Sequence, residues 1–119
     1  MGTEGEHHMS KQLLIACFAC GLGAVTAGLA APAAAGDAAK GKAVFAQQCV
    51  MCHNANSTEK KMGPGLKGLF KKDKLANGKK ATPENIRAQV ETGGNGMPGY
   101  KDMLSAEERS DLLAYLKTL

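Results

Sequence analysis

Tryptophan is absent from this 119-residue chain, and the other aromatics are scarce, with three Phe and two Tyr. With so few large apolar groups, a small domain cannot close a core from side chains alone. A disulfide, a metal or a bulky cofactor has to fill its middle. No stretch alternates apolar and polar residues as a strand would, and no internal repeat is present, so sandwiches, barrels and repeat arrays are excluded. There is no long Arg-rich run and no aromatic interleaving among the lysines, which excludes a nucleic-acid interface. Histidine is rare too: beyond the first eight residues His53 stands alone.

Charge is missing altogether from Leu13 to Ala35, a run of 23 residues dominated by Ala, Leu and Gly. Lys11 precedes it and Ala33-Ala34-Ala35 closes it with small residues. This is the order of a secretory signal: basic start, apolar middle, small-residue cleavage site. We therefore expect residues 1–35 to be a signal peptide. A retained membrane anchor is the secondary reading, since the run is long enough to span a bilayer. Cleavage after Ala35 leaves a single domain of 84 residues, 36–119, with 14 Lys or Arg against 9 Asp or Glu. A formal +5 is moderately basic and favours encounters with acidic protein surfaces.

Capping signals mark three helices in this domain. Asp37 is a good N-cap for a helix from about Ala38 to Gln48. Thr82 caps a second from about Pro83 to Glu91, with Pro83 at its first position and Gly93-Gly94 as its stop. Ser105 and Glu108 form a capping box for a third, from about Ala106 to Lys117. The long connection from Asn54 to Ala81 contains Gly63-Pro64-Gly65, a basic stretch from Lys71 to Lys74 and an Asn77-Gly78 turn. A loop of that length in so small a domain is expected to wrap something.

The object it wraps is indicated by Cys49-Val50-Met51-Cys52-His53. Two cysteines at this spacing can each add a thiol to one vinyl group of a haem, and the adjacent imidazole can bind the iron. Three other readings of the pair exist. A thiol redox couple would sit at the start of a helix in a βαβ unit, and none is present. A zinc site would need Cys17 and Cys20, which lie in the apolar leader. A structural disulfide is the third.

His53 fills one axial position of such an iron. The Gly63-Pro64-Gly65-Leu66 segment either offers a backbone carbonyl to the other ring nitrogen of His53 or is an ordinary turn. For the sixth ligand the soft donors after His53 are Met62, Met97 and Met103. Met62 is too close in sequence to His53 to reach the other side easily, and Met103 is a candidate for core packing beside the third helix. Met97 is favoured because Gly93-Gly94-Asn95-Gly96-Met97-Pro98-Gly99 lets the backbone approach a flat cofactor closely.

Taken together, the haem motif, Gly63-Pro64-Gly65-Leu66, Gly96-Met97-Pro98 and a C-terminal helix bearing Tyr115 resemble the small class I c-type cytochromes, across essentially all of 36–119. The resemblance implies an all-α fold of three main helices, with long loops wrapped around one haem. It implies a close crossing of the first and last helices, where Gly41 and Phe45 meet Tyr115. It also implies that the Pro64 carbonyl accepts the His53 proton. The tryptophan that many relatives place against a haem propionate is missing, and Lys67, Arg87 and Tyr100 are candidates to take its place.

The expected function is a single-electron carrier, not an enzyme, with one covalently bound haem c and His53 and Met97 on the iron. The expected location is periplasmic or otherwise extracytoplasmic. The expected partners are redox proteins, approached by a monomer. Lys60, Lys61, Lys67, Lys71, Lys72, Lys74, Lys79 and Lys80 lie in the wrapping loop and are candidates for attracting an acidic partner. Two alternatives are a gas- or peroxide-binding protein with an open sixth site, and a membrane-tethered relay of a larger redox complex.

Overall fold

The computed structural model describes residues 35–119, so the expected leader, Ala35 apart, lies outside the described residues. Three helices form: α1 (Ala38–Gln48), α2 (Pro83–Thr92) and α3 (Ala106–Leu116). No strand is present among the described residues, only two isolated bridges, Lys74 with Lys80 and Gly94 with Met97. The all-α expectation holds.

Each helix begins where its cap sequence dictates. The Asp37 carboxylate accepts from the N–H groups of Ala39 and Lys40. The Thr82 hydroxyl accepts from Asn85 N–H at 3.3 Å. Ser105 and Glu108 close their box reciprocally, at 3.1 and 2.8 Å. The ends are less sharply encoded. α2 runs one residue past Glu91, to Thr92, whose hydroxyl donates to Ala88 O at 2.7 Å. α3 closes at Leu116, with Lys117 as its cap.

Helices of 10 or 11 residues are marginal alone and depend on packing. α1 and α3 make the main contact. A Cβ on Gly41 would lie 1.9 Å from the Asp111 carbonyl oxygen, so only glycine lets the two backbones meet there. One turn further on, the Phe45 and Tyr115 rings pack with centroids 5.5 Å apart. The Asp111 side chain is buried, and its Oδ1 accepts from Asp37 N–H at 2.6 Å. That puts a carboxylate against the N-terminus of α1, where unpaired N–H groups and the helix dipole favour negative charge. α2 is joined to α3 by the Arg109–Glu91 ion pair at 3.0 Å.

The 54–82 connection is ordered by backbone bonds within itself and to the C-terminal end of the chain. Leu66 N–H donates to Asn54 O at 2.8 Å, and Gly68 N–H to the carbonyl of Leu119 at 2.8 Å. A 3-10 turn at Leu69–Lys71 follows. Leu66 and Leu69 are buried with Phe45, Ile86, Leu112 and Leu116, and all six also line one cavity of about 700 Å³. The core is therefore a shell around a space.

Candidate haem site

The cavity falls within the roughly 300–1,000 Å³ typical of cofactor sites, and its lining is mainly apolar. Cys49, Cys52 and His53 enter it from the end of α1. Cys49 caps that helix, and the N–H groups of Cys52 and His53 both return to Cys49 O, at 3.1 and 2.9 Å. Both thiols and the imidazole are thus held on one tight turn. Burial, and then the charge of Cys52, push the Cys49 thiol up to about 11. A redox-active thiol pair needs the opposite shift, so thiol–disulfide chemistry is disfavoured. Among the described residues no group of three or more His, Cys, Asp or Glu side chains is arranged to hold one metal ion, which disfavours a zinc set; Cys17 and Cys20 lie outside them.

His53 Nδ1 lies 2.8 Å from Pro64 O, and with the proton on Nδ1 the ring donates this bond. Gly63 N–H donates to Cys52 O at 2.8 Å, which closes the loop between. A Cβ on Gly63 would come within 2.5 Å of His53 Cε1, so the ring rests on bare backbone.

Met97 reaches the same cavity from the segment after α2. Gly94 and Met97 exchange two backbone bonds, at 2.9 and 3.1 Å, across Asn95 and Gly96. Asn95 and Gly96 both have positive φ, 54° and 88°, as a type I′ turn requires. Asn-Gly signals that turn in sequence, a role beyond the close approach and helix stop expected of these glycines. Gly93 is needed for a different reason: a Cβ there would lie 2.4 Å from Met97 O. Tyr100 N–H then donates to Val90 O at 2.9 Å, and the Tyr100 hydroxyl donates to Gln48 O at 3.0 Å. That last bond ties the Met97 strap to the end of α1, beside Cys49.

The other methionines separate clearly. Met62 lines the cavity but leans on the Cys52 side, with the two sulfurs 3.8 Å apart, and is largely exposed. Met103 is exposed and outside the cavity, so it does not pack as core. Of the three propionate substitutes, only Tyr100 lines the cavity; Lys67 does not, and Arg87 donates to Ser110 Oγ at 3.3 Å. Of the eight loop lysines, Lys60, Lys72 and Lys74 line it. Lys72 points inward to Gly65 O at 3.0 Å, a contact that no sequence signal marks. Gln89, which bonds both Asn77 and Met97, was likewise missed.

These residues fit a haem. Two thiols, one imidazole and the thioether sulfur of Met97 converge on a largely apolar cavity, and a glycine leaves room for the imidazole.

Comparison with known proteins agrees. A family model described as cytochrome C oxidase, cbb3-type, subunit III matches residues 36–116. Cytochrome c6 of Rippkaea orientalis is 39% identical over 88 residues, covering 74% of this chain and 76% of that protein. Cytochrome c2 of Blastochloris viridis is 36% identical over 110 residues, covering 78% and 86%. The crystal structure of cytochrome c6 from the diatom Phaeodactylum tricornutum superposes with a TM-score of 0.54 at 31% identity, covering 70% of this chain and 93% of that one. The chain belongs to the small class I monohaem c-type cytochromes. It is an electron carrier with covalently attached haem c, serves redox partners, and is not an enzyme.

Proposed function

We propose that this protein carries single electrons between redox proteins outside the cytoplasm, with its haem joined to Cys49 and Cys52 and its iron bound by His53 and Met97. The observation that carries the reading is the convergence of these four side chains on one cavity, while Met103 stays outside it and Met62 leans on Cys52. When bound, the haem supplies a one-electron couple between ferric and ferrous iron. Cys49 and Cys52 would hold the haem, each by addition of its S–H across one vinyl group with no leaving group. The Pro64 carbonyl holds the proton on Nδ1 of His53 and leaves the Nε2 lone pair for the metal. Met97 would supply a thioether sulfur to the iron and so exclude small molecules from it, and His/Met ligation raises the potential relative to two histidines. The mainly apolar lining would limit water around the couple and so the reorganisation that a change of charge requires.

The test is the ferric absorption spectrum of protein matured in a host that attaches haem c. A low-spin Soret band with a weak near-infrared sulfur-to-iron band is expected, and Met97→Ala should abolish the second while keeping the first. A high-spin spectrum in the native protein would instead establish an open site. Absence of haem would overturn the reading.

The leader pattern supports export and cleavage before Gly36, which the mass of the exported protein checks. Lys60 and Lys74 at the cavity support docking of an acidic partner. Electron-transfer rates should then fall steeply with ionic strength, and a flat profile would rule such docking out. The description of the matching family model favours one other reading, a fixed relay within an oxidase. Purification of the native protein as part of a membrane complex would select it.

A further inference from the structure

We infer that Asn77 is a positioning residue that acts on Met97 through Gln89. This rests on the reading of Met97 as an iron ligand. Asn77 Nδ2 donates to Gln89 Oε1 at 2.7 Å, and Gln89 Nε2 donates to Met97 Sδ at 3.8 Å, within reach of a sulfur acceptor. All three residues line the cavity, and they come from three separate segments: the wrapping loop, α2 and the strap.

An amide side chain can face either way, so the direction of such a chain needs an anchor whose polarity is not in question. The backbone provides one. Lys79 N–H donates to Asn77 Oδ1 at 3.0 Å, and a backbone N–H can only donate. That contact commits the Asn77 oxygen, which turns its NH2 group outward to Gln89. Gln89 must then present its oxygen to Asn77 and its own NH2 to the sulfur.

The anchor is itself held. Asn77 and Lys79 flank Gly78, whose φ of 80° makes the turn, and Leu75 N–H donates to Lys79 O at 2.7 Å to close it. Three donors therefore point in one direction, and the last points at the sulfur. An N–H there draws electron density from the thioether and sets the positive end of a dipole beside the site. Both effects favour the less positive, reduced state of bound iron. Without Asn77 the Gln89 amide is free to rotate, and the mean donation to sulfur weakens.

The test is a double-mutant cycle on the haem-loaded protein, read by the midpoint reduction potential. Asn77→Ala should lower the potential, seen as a rise of about two- to fivefold in the ferric-to-ferrous ratio at fixed solution potential, the worth of one modest hydrogen bond. Gln89→Leu should lower it at least as far. In the Gln89→Leu background, Asn77→Ala should add nothing. An equal shift in both backgrounds, or no shift in either, overturns the proposal. The near-infrared sulfur band separates the two readings: its presence without a shift rejects the relay alone, and its absence from the native protein rejects Met97 ligation and the relay together. If Asn77→Ala does not fold, the native protein still decides. A nuclear Overhauser contact between the Gln89 side-chain NH2 and the Met97 methyl is expected, and its absence overturns the proposal.

Discussion

The segment that carries His53 and the strap that carries Met97 hold their side chains by different means. His53 sits on a turn that follows a helix directly, with returns to Cys49 O and Cys52 O and a ring nitrogen at Pro64 O. Met97 stands beside a run from Gly93 to Gly96 in which every φ is positive, and only a two-bond bridge closes its turn. One side is fixed by sterics and short-range bonds. The other is fixed by glycines that accept an uncommon backbone, and it holds against α2 through Val90 and Gln89. The Met97 side should therefore be the first to yield under heat or denaturant.

The largest effect should come from the attachment itself. In Cys49→Ala with Cys52→Ala, haem should become extractable by acid and organic solvent, and the yield of folded protein should collapse, because the cavity is most of the core. Retention of haem through extraction would refute attachment at these residues.

Next in size is Gly63→Ala. Its new methyl would lie 2.5 Å from His53 Cε1, so the ring must move and lose Pro64 O. We expect a high-spin or haem-poor product, measured by the Soret band and haem-to-protein ratio. Gly96→Ala is the matching probe of the strap. A Cβ there meets nothing within 4 Å, so the cost is only that of φ +88°. A loss of about 1–2 kcal/mol, roughly 5–10 °C in the midpoint at which the near-infrared band melts, should appear with the low-spin spectrum intact at room temperature. If Gly96→Ala proves more damaging than Gly63→Ala, the contrast between the two sides is wrong.

What could be read from sequence divides along a similar line. Helix starts were legible because Asp37, Thr82-Pro83 and Ser105 with Glu108 act within one turn of themselves. The haem motif was legible because covalent chemistry demands two thiols and an imidazole at fixed spacing. The crossing of α1 and α3 came through resemblance, since nothing local to Gly41 reports that Asp111 will lie against it. The contacts that were missed join distant residues through ordinary polar groups: Asp111 to Asp37, 74 positions apart, and Tyr100 to Gln48, 52 apart. An Asp in a helix or a Tyr in a loop has many possible partners, and only the assembled fold chooses one. Lys67 and Arg87 lie outside the cavity lining for the same reason: charge alone does not say which way a side chain turns.

Tyr100 is where the two sides meet, and it gives the smallest effect with the most specific signature. Its hydroxyl bonds Gln48 O beside Cys49, while its N–H holds the strap to Val90 O. Tyr100→Phe keeps the ring and the second bond and removes the first, a loss of about 1 kcal/mol in chemical denaturation. Burial, and then the charges of Cys49 and Cys52, raise the phenol above its ordinary value near 10. In the haem-linked protein both sulfurs are neutral thioethers, which leaves burial as the cause. The folded chain thus keeps a proton that the unfolded chain releases, so this stability is fully present below about pH 10 and is lost as pH rises through the folded pKa. The gap between native protein and Tyr100→Phe should be constant from neutral pH to about 9 and should narrow above 10. A gap that widens there would mean that the ionised phenol is the better-held form, and the strap would then be tied to α1 by charge instead of by a neutral hydrogen bond.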